Sequence, residues 1–181
     1  LIERIASLLS EGMLLKSRQE IEALFPARSL PAGAEVMRVP PSPTGFVHIG
    51  TVYAGMVNER IAHQSDGVFI LRIEDTDKKR EVEGSVDRIV EAFDYFGLTY
   101  DEGPVKDGAY GPYFQSQRGD IYMVYALELL RSGRAYPDFA TPEELQANMA
   151  AQQAAKVRPG YYGKWALWRE KSDDEISAAL D

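Results

Sequence analysis

Pro41-Ser42-Pro43-Thr44-Gly45-Phe46-Val47-His48-Ile49-Gly50-Thr51 separates a short β-prone run, Val36 to Val39, from a stretch with helical spacing. Pro40, Pro41 and Pro43 remove ladder donors and fix φ, so the strand must end there and the chain stays extended or turns. Gly45 permits the reversal. From Gly50 the apolar residues Tyr53, Met56, Val57 and Ile61 follow a helical period. A helix beginning at this point aims unpaired backbone N–H groups and the positive end of its dipole at whatever lies above the strand. His48 and Thr51 flank that point, an arrangement suited to a nucleotide's phosphates.

Working outward, Asp66-Gly67 forms a turn and Val68-Phe69-Ile70-Leu71-Arg72-Ile73 is a nearly continuous apolar run, the pattern of a parallel strand covered on both faces. Glu74, Asp75, Thr76 and Asp77 therefore stand beyond its C-terminal end, beside the end of the first strand. That edge is where open α/β sheets bind ligands. Arg38 can clamp a carboxylate there in bidentate fashion, Ser42 can donate a hydrogen bond, and Glu74 can accept from an ammonium group. Lys78, Lys79 and Arg80 read either as a basic contact for RNA or as a solvated turn.

A lone His-x-Gly before a helix is common and usually structural; context decides such motifs. Here the whole ordered set resembles the catalytic domain of bacterial-type glutamyl-tRNA synthetases. It comprises Pro41 to Gly45, His48-Ile49-Gly50-Thr51, Leu71-Arg72-Ile73-Glu74-Asp75-Thr76-Asp77, Asp101-Glu102-Gly103-Pro104, and Gly111-Pro112-Tyr113-Phe114-Gln115-Ser116. Ser42 and Thr44 favour the bacterial glutamate-specific branch over the Pro-Glu-Pro-Asn-Gly version. The resemblance implies an α/β, Rossmann-like parallel-sheet nucleotide-binding half-domain that activates glutamate with ATP and Mg²⁺ and transfers it to tRNA-Glu. It implies glutamate binding by Arg38, Ser42 and Glu74, and ATP binding by His48, Gly50 and Thr51, with His48 and Thr51 also serving the chemistry. It places Arg80 near the tRNA 3′ end.

The implied organisation is a helical extension and linker over residues 1–35, the first half of the catalytic domain over 36–140, and the start of an inserted acceptor-end domain over 141–181. Within the extension, Ile2, Ile5, Ala6 and Leu9 and the capping-box pattern Ser17-Arg18-Gln19-Glu20 predict two short helices, a packing brace or an interaction element. Gly84-Ser85 opens a helix with Val86, Ile89, Val90, Phe93 and Phe96 inward. Gly119 to Arg131 is a helix with Tyr122, Ala126, Leu129 and Leu130 inward. Tyr110, Tyr113 and Gln115 are candidates to line a polar cleft. Ala135-Tyr136-Pro137 reads as a third strand. Thr141-Pro142-Glu143-Glu144 and Ser172-Asp173-Asp174-Glu175 cap two further helices.

The chain has 181 residues, 45% of them hydrophobic, enough for one substantial core with a smaller appendage. No apolar run is long enough to span a bilayer, and no membrane partner is expected. Zero cysteines exclude disulfides and thiolate metal sites and fit the cytoplasm. The net charge of −8 counts against strong RNA binding by this piece, so tRNA contacts are expected mainly from other domains. Where relatives often carry a Cys-x-Cys zinc pair, this chain has Asp138-Phe139-Ala140, so no zinc is expected. No Lys-Met-Ser-Lys-Ser-like loop occurs, so the chain reads as an N-terminal fragment, inactive alone. Alternatives are a glutamyl-queuosine-type tRNA-modifying paralogue, a non-catalytic nucleotide-binding or docking domain, and a small nucleotidylyltransferase.

Overall fold

The computed structural model describes residues 1–180. In chain order it contains α1 (Ile2–Leu9), α2 (Arg18–Leu24), β1 (Val36–Val39), α3 (Ile49–Gln64), β2 (Val68–Leu71), α4 (Ser85–Tyr95), α5 (Gly119–Arg131), α6 (Pro142–Ala154) and α7 (Asp173–Leu180). Strands β1 and β2 pair in parallel with Val36 opposite Val68 and Val39 opposite Leu71, joined through α3. This is the β-α-β unit expected of a Rossmann-like α/β fold.

The chain resolves into two compact units, one of Lys16–Tyr122 and one of Leu1–Leu15 with Met123–Asp181. Compactness thus groups α1 with the C-terminal helices, whereas the sequence motifs suggest functional boundaries near residues 35 and 140.

In the first unit, Phe69, Leu71 and Ile73 point into a core completed by Val52 and Ala62 of α3 and Ile89 and Phe93 of α4. Side chains alternate across a strand, and β2 follows that rule: Phe69 and Leu71 are buried while Val68 and Ile70 are partly exposed. The reading of β2 as covered on both faces is therefore corrected. Core packing lies on one face, and Arg38, Ile70 and Arg72 share the other.

The sheet is extended by isolated parallel bridges, Ile70 with Glu102 and Ile73 with Phe114. Leu71 N–H donates to Glu102 O at 2.9 Å, and Gln115 N–H to Ile73 O at 2.9 Å. These pairings lie in the region read from sequence as loop. Ala135-Tyr136-Pro137, read as a strand, has no strand geometry. The helical faces also shift. Helix α3 buries Val52, Gly55, Glu59 and Ala62, leaving Tyr53, Met56 and Ile61 exposed. Helix α5 buries Val124, Leu127 and Leu130, with Tyr122, Ala126 and Leu129 outward. Phe96 is exposed, unlike Phe93.

The caps read at Ser17, Thr141 and Ser172 all form. Ser17 Oγ accepts from Glu20 N–H while the Glu20 carboxylate accepts from Ser17 N–H, and Thr141 and Glu144 do the same ahead of Pro142. In the second unit Ile5, Leu130 and Ile176 form a separate cluster with Phe139 and Trp168 packed against it. Among the described residues no helix is long and apolar enough to cross a membrane.

Candidate active site

The end of β1 and the residues following β2 run side by side. Arg72 N–H donates to Val39 O at 3.2 Å and Glu74 N–H to Pro41 O at 2.9 Å, so the proline turn continues along the second strand instead of leaving the sheet. That juxtaposition brings Arg38 and Glu74 together, with Arg38 Nη1 donating to Glu74 Oε1 at 3.3 Å. Both side chains are about one-third exposed, 36% and 34%, so the pair is open to a ligand as well as to each other.

The proline turn is held from below. Pro43 O accepts from Val82 N–H at 3.0 Å and from Ser85 Oγ–H at 2.9 Å, Ser85 being fully buried at the start of α4. Gly45, at φ 129°, then makes the reversal in a conformation that suits glycine. Ser42 is exposed on this turn.

Helix α3 begins at Ile49 with His48 as N-cap, and the His48 side chain makes no capping bond. Thr51 N–H is the first amide of the turn to find a helical acceptor, His48 O at 2.9 Å. The amides of Ile49 and Gly50 are left for an external acceptor, as helix starts require. A Cβ placed on Gly50 would meet no atom within 4 Å, so the space against its backbone is open. His48 and Gly50 are exposed and Thr51 half-buried beside them. Unpaired amides, the dipole of a 16-residue helix and two side chains able to donate or accept together fit phosphate oxygens.

Asp75 was not singled out in the sequence, yet it is the buried carboxylate of this edge. It accepts from Ser116 N–H at 2.9 Å and from the Ser116 hydroxyl, and Lys78 Nζ lies 3.5 Å away. Burial, the largest single influence, pushes its pKa up, but the two Ser116 hydrogen bonds, the backbone of Asp75 itself and the charge of Lys78 together hold the carboxyl below its ordinary value. Asp75 thereby fastens the turn after Glu74 to the Gly-Pro-Tyr-Phe-Gln-Ser stretch. Replacing Ser116 with alanine removes one of those bonds and is expected to cost about 1–2 kcal/mol by urea denaturation at neutral pH. An unchanged midpoint would show that the backbone amide alone suffices.

Of the tyrosines considered for a polar cleft, Tyr113 is buried and donates its hydroxyl to Glu102 Oε2 at 2.7 Å. Tyr110 donates to Pro26 O at 2.6 Å. Arg80 pairs with Asp77: its Nε donates to Asp77 Oδ2 at 2.6 Å, and its side chain is 71% exposed. At the position of the Cys-x-Cys pair of many relatives, Phe139 packs edge-on against Trp168 at 5.0 Å between ring centres.

Residues 35–179 match the family described as tRNA synthetases class I (E and Q), catalytic domain. The glutamate–tRNA ligase of Acetivibrio thermocellus is 51% identical over 163 residues, covering 88% of this chain and 30% of that protein. That of Clostridium perfringens is 53% identical over 161 residues, with 87% and 30% covered. Among solved structures, a glutamate tRNA ligase from Elizabethkingia meningosepticum in complex with its amino acid superposes with a TM-score of 0.68 at 36% identity, covering 82% of this chain and 30% of that one. The glutamate-tRNA synthetase of Elizabethkingia anophelis gives 0.70 at 36% identity, covering 81% and 30%. The chain spans about 30% of the length of the curated relatives it matches. With its parallel β-α-β unit, proline turn and open helix start lying inside the matched residues, the chain belongs to the catalytic-domain family of class I tRNA synthetases for glutamate and glutamine.

Proposed function

We propose that this chain is the part of a glutamate–tRNA ligase that holds the amino acid and the nucleotide for adenylate formation. The observation that carries this reading is the Arg38–Glu74 pair at adjacent strand ends. A free amino acid is a zwitterion, and a partly exposed guanidinium beside a partly exposed carboxylate offers each end its complement. In this reading Arg38 takes a substrate carboxylate, Glu74 the ammonium, and the Ser42 hydroxyl adds a hydrogen bond. The Ile49 and Gly50 amides with His48 and Thr51 hold phosphate oxygens of ATP. They stabilise the charge that develops there when the carboxylate attacks the α-phosphate and pyrophosphate departs. Mg²⁺, held mainly by phosphate and water, would supply further charge neutralisation.

Residues 36–140 serve as the first half of the catalytic domain, residues from 141 begin the acceptor-end domain, and residues 1–35 are an extension. Exposed Arg80 is available to the 3′ end of tRNA-Glu. No zinc is assigned, since Asp138, Phe139 and Ala140 provide no thiolate pair. The cytoplasm is the compartment that goes with this activity.

The test is calorimetric titration with a non-hydrolysable glutamyl-adenylate analogue, with Arg38→Ala and Glu74→Gln as variants. Each loses a charge-assisted hydrogen bond to the ligand, so affinity is expected to fall about 10- to 100-fold. Equal affinity in folded wild type and both variants would overturn the assignment.

A further inference from the structure

Residues 16–28 lie outside the matched family residues, 35–179, yet they belong to the same compact unit as the sheet. Helix α2 has seven residues, too few to hold its shape without packing. Its inward side chains recur at Ile21, Phe25 and Arg28, while Leu24 is exposed. Phe25 stacks on Tyr110 at 6.4 Å between ring centres, and the Arg118 guanidinium lies 5.6 Å from the centre of the Phe25 ring. Pro26 O accepts from the Tyr110 hydroxyl at 2.6 Å. Arg28 lies 3.6 Å from the centre of the Tyr110 ring and takes Glu102 in bidentate fashion, at 2.6 and 2.8 Å.

These partners flank residues 103–112, where Gly103, Pro104, Gly108, Gly111 and Pro112 keep the chain out of helix and extended strand. Such a stretch costs conformational entropy to hold, so order must come from outside it. Tyr113 donates its hydroxyl to Glu102, and Arg118 donates to Tyr110 O and Pro112 O. The residues that follow then grip the chain on both sides of Glu74. Tyr113 O accepts from Ile73 N–H and Gln115 N–H donates to Ile73 O, each at 2.9 Å. Ser116 donates its N–H and its hydroxyl to Asp75. Glu74 is the residue between these two anchors. A carboxylate that must meet a ligand within hydrogen-bond distance loses affinity when its backbone is displaced. We propose that residues 21–28 are a brace that sets the position of Glu74 through residues 102–116, with Phe25 and Arg28 as its positioning residues. The proposal rests on the ligase reading for what Glu74 binds, and on geometry alone for what holds it.

The test follows amide hydrogen exchange by NMR in the ¹⁵N-labelled full chain, as wild type, Phe25→Ala, Arg28→Ala and Arg28→Lys. Both alanine variants are expected to speed exchange at Ile73, Gln115 and Ser116 by about tenfold or more, with α3 and α4 changing less than about twofold. Arg28→Lys keeps the charge without the bidentate pair and is expected to recover part of the protection. Leu24→Ala, on the exposed side of the same helix, is the control and is expected to match the wild type. If Phe25→Ala does not fold, Phe25→Leu takes its place. Calorimetry with the glutamyl-adenylate analogue is the second readout. Each alanine variant is expected to bind about fivefold or more weakly, yet to add less than about twofold to the loss caused by Glu74→Gln, since the brace acts through that residue. Equal acceleration at all amides, unchanged exchange at Ile73, Gln115 and Ser116, or full additivity with Glu74→Gln would overturn the proposal. If Glu74→Gln weakens binding and the brace variants do not, the ligase reading stands and the brace alone falls. If the wild type binds no analogue, the ligase reading falls, and selective exchange at the three amides decides the brace.

Discussion

Phe93→Ala is expected to destabilise the protein by about 3–5 kcal/mol, the usual range for deleting a buried aromatic ring. Phe93 is 1% exposed and meets Phe69 and Tyr100 edge-on, at 6.5 and 6.4 Å between ring centres. Helix α3 makes room for the ring with a glycine: a Cβ on Gly55 would stand 2.5 Å from Phe93 Cε1. The void left by alanine would therefore open between α3, α4 and β2, where the close approach of α3 leaves little to collapse into it. The N-terminus of α3 carries His48, Gly50 and Thr51, so analogue binding is expected to fall along with stability. Urea denaturation measures the first effect and calorimetry the second. Tyr95→Ala, two residues away but 84% exposed, is the control and is expected to cost less than about 1 kcal/mol. Similar losses in the two variants would show that the α3–α4 contact does not govern the fold.

What could be read from sequence divides by the range of the interactions involved. The caps at Ser17, Thr141 and Ser172 depend on residues three apart, and all were legible. The juxtaposition of Arg38 and Glu74 was legible because a strand end is a local event, and two parallel strands must bring their ends together. The buried face of α3 was not legible, because apolar residues lie around most of its circumference and the buried face includes Glu59. That carboxylate has Arg60 and His63 beside it, at 3.3 and 3.6 Å, a compensation no periodicity can show. The third sheet position went to Glu102 and Phe114 because tertiary pairing along Leu71 and Ile73 overrides the turn-rich composition around them. Ala135 and Tyr136 have the side chains for a strand but no neighbouring strand to pair with. The contacts of Ser116 and Arg28 were missed for a related reason. Their partners, Asp75 and Glu102, lie 41 and 74 residues away, and only the fold introduces them.

The Arg28–Glu102–Tyr113 cluster gives the second large expectation. Glu102→Ala should cost about 3 kcal/mol, since it leaves the Arg28 charge without its counter-ion and the Tyr113 hydroxyl without its acceptor. The two charged side chains are 16% and 12% exposed, too little for water to replace the lost bonds fully. The pH dependence carries a distinct signature on each side. The hydrogen bond from Arg28 outweighs burial and, with that from Tyr113, holds the Glu102 carboxyl below its ordinary value of 4.5. A carboxyl depressed in the folded state contributes stability that is present above its unfolded value and is lost as pH falls through the folded one. Burial and the bond to Glu102 push Tyr113 from 10 up to about 12. A phenol raised in this way contributes below its unfolded value and loses that contribution as pH rises from about 10 through about 12. Wild-type stability from this cluster should therefore be flat between the two edges, and Glu102→Ala should lose the acid edge that Glu102 contributes. Absorbance at 295 nm should show two tyrosines ionising near pH 12 in the wild type, Tyr113 and Tyr161, and in the variant the midpoint of Tyr113 alone should move down toward 10. If the acid edge and the Tyr113 midpoint both survive the substitution, the cluster is not the electrostatic lock its geometry describes, and residues 25–28 are held to the sheet by packing alone.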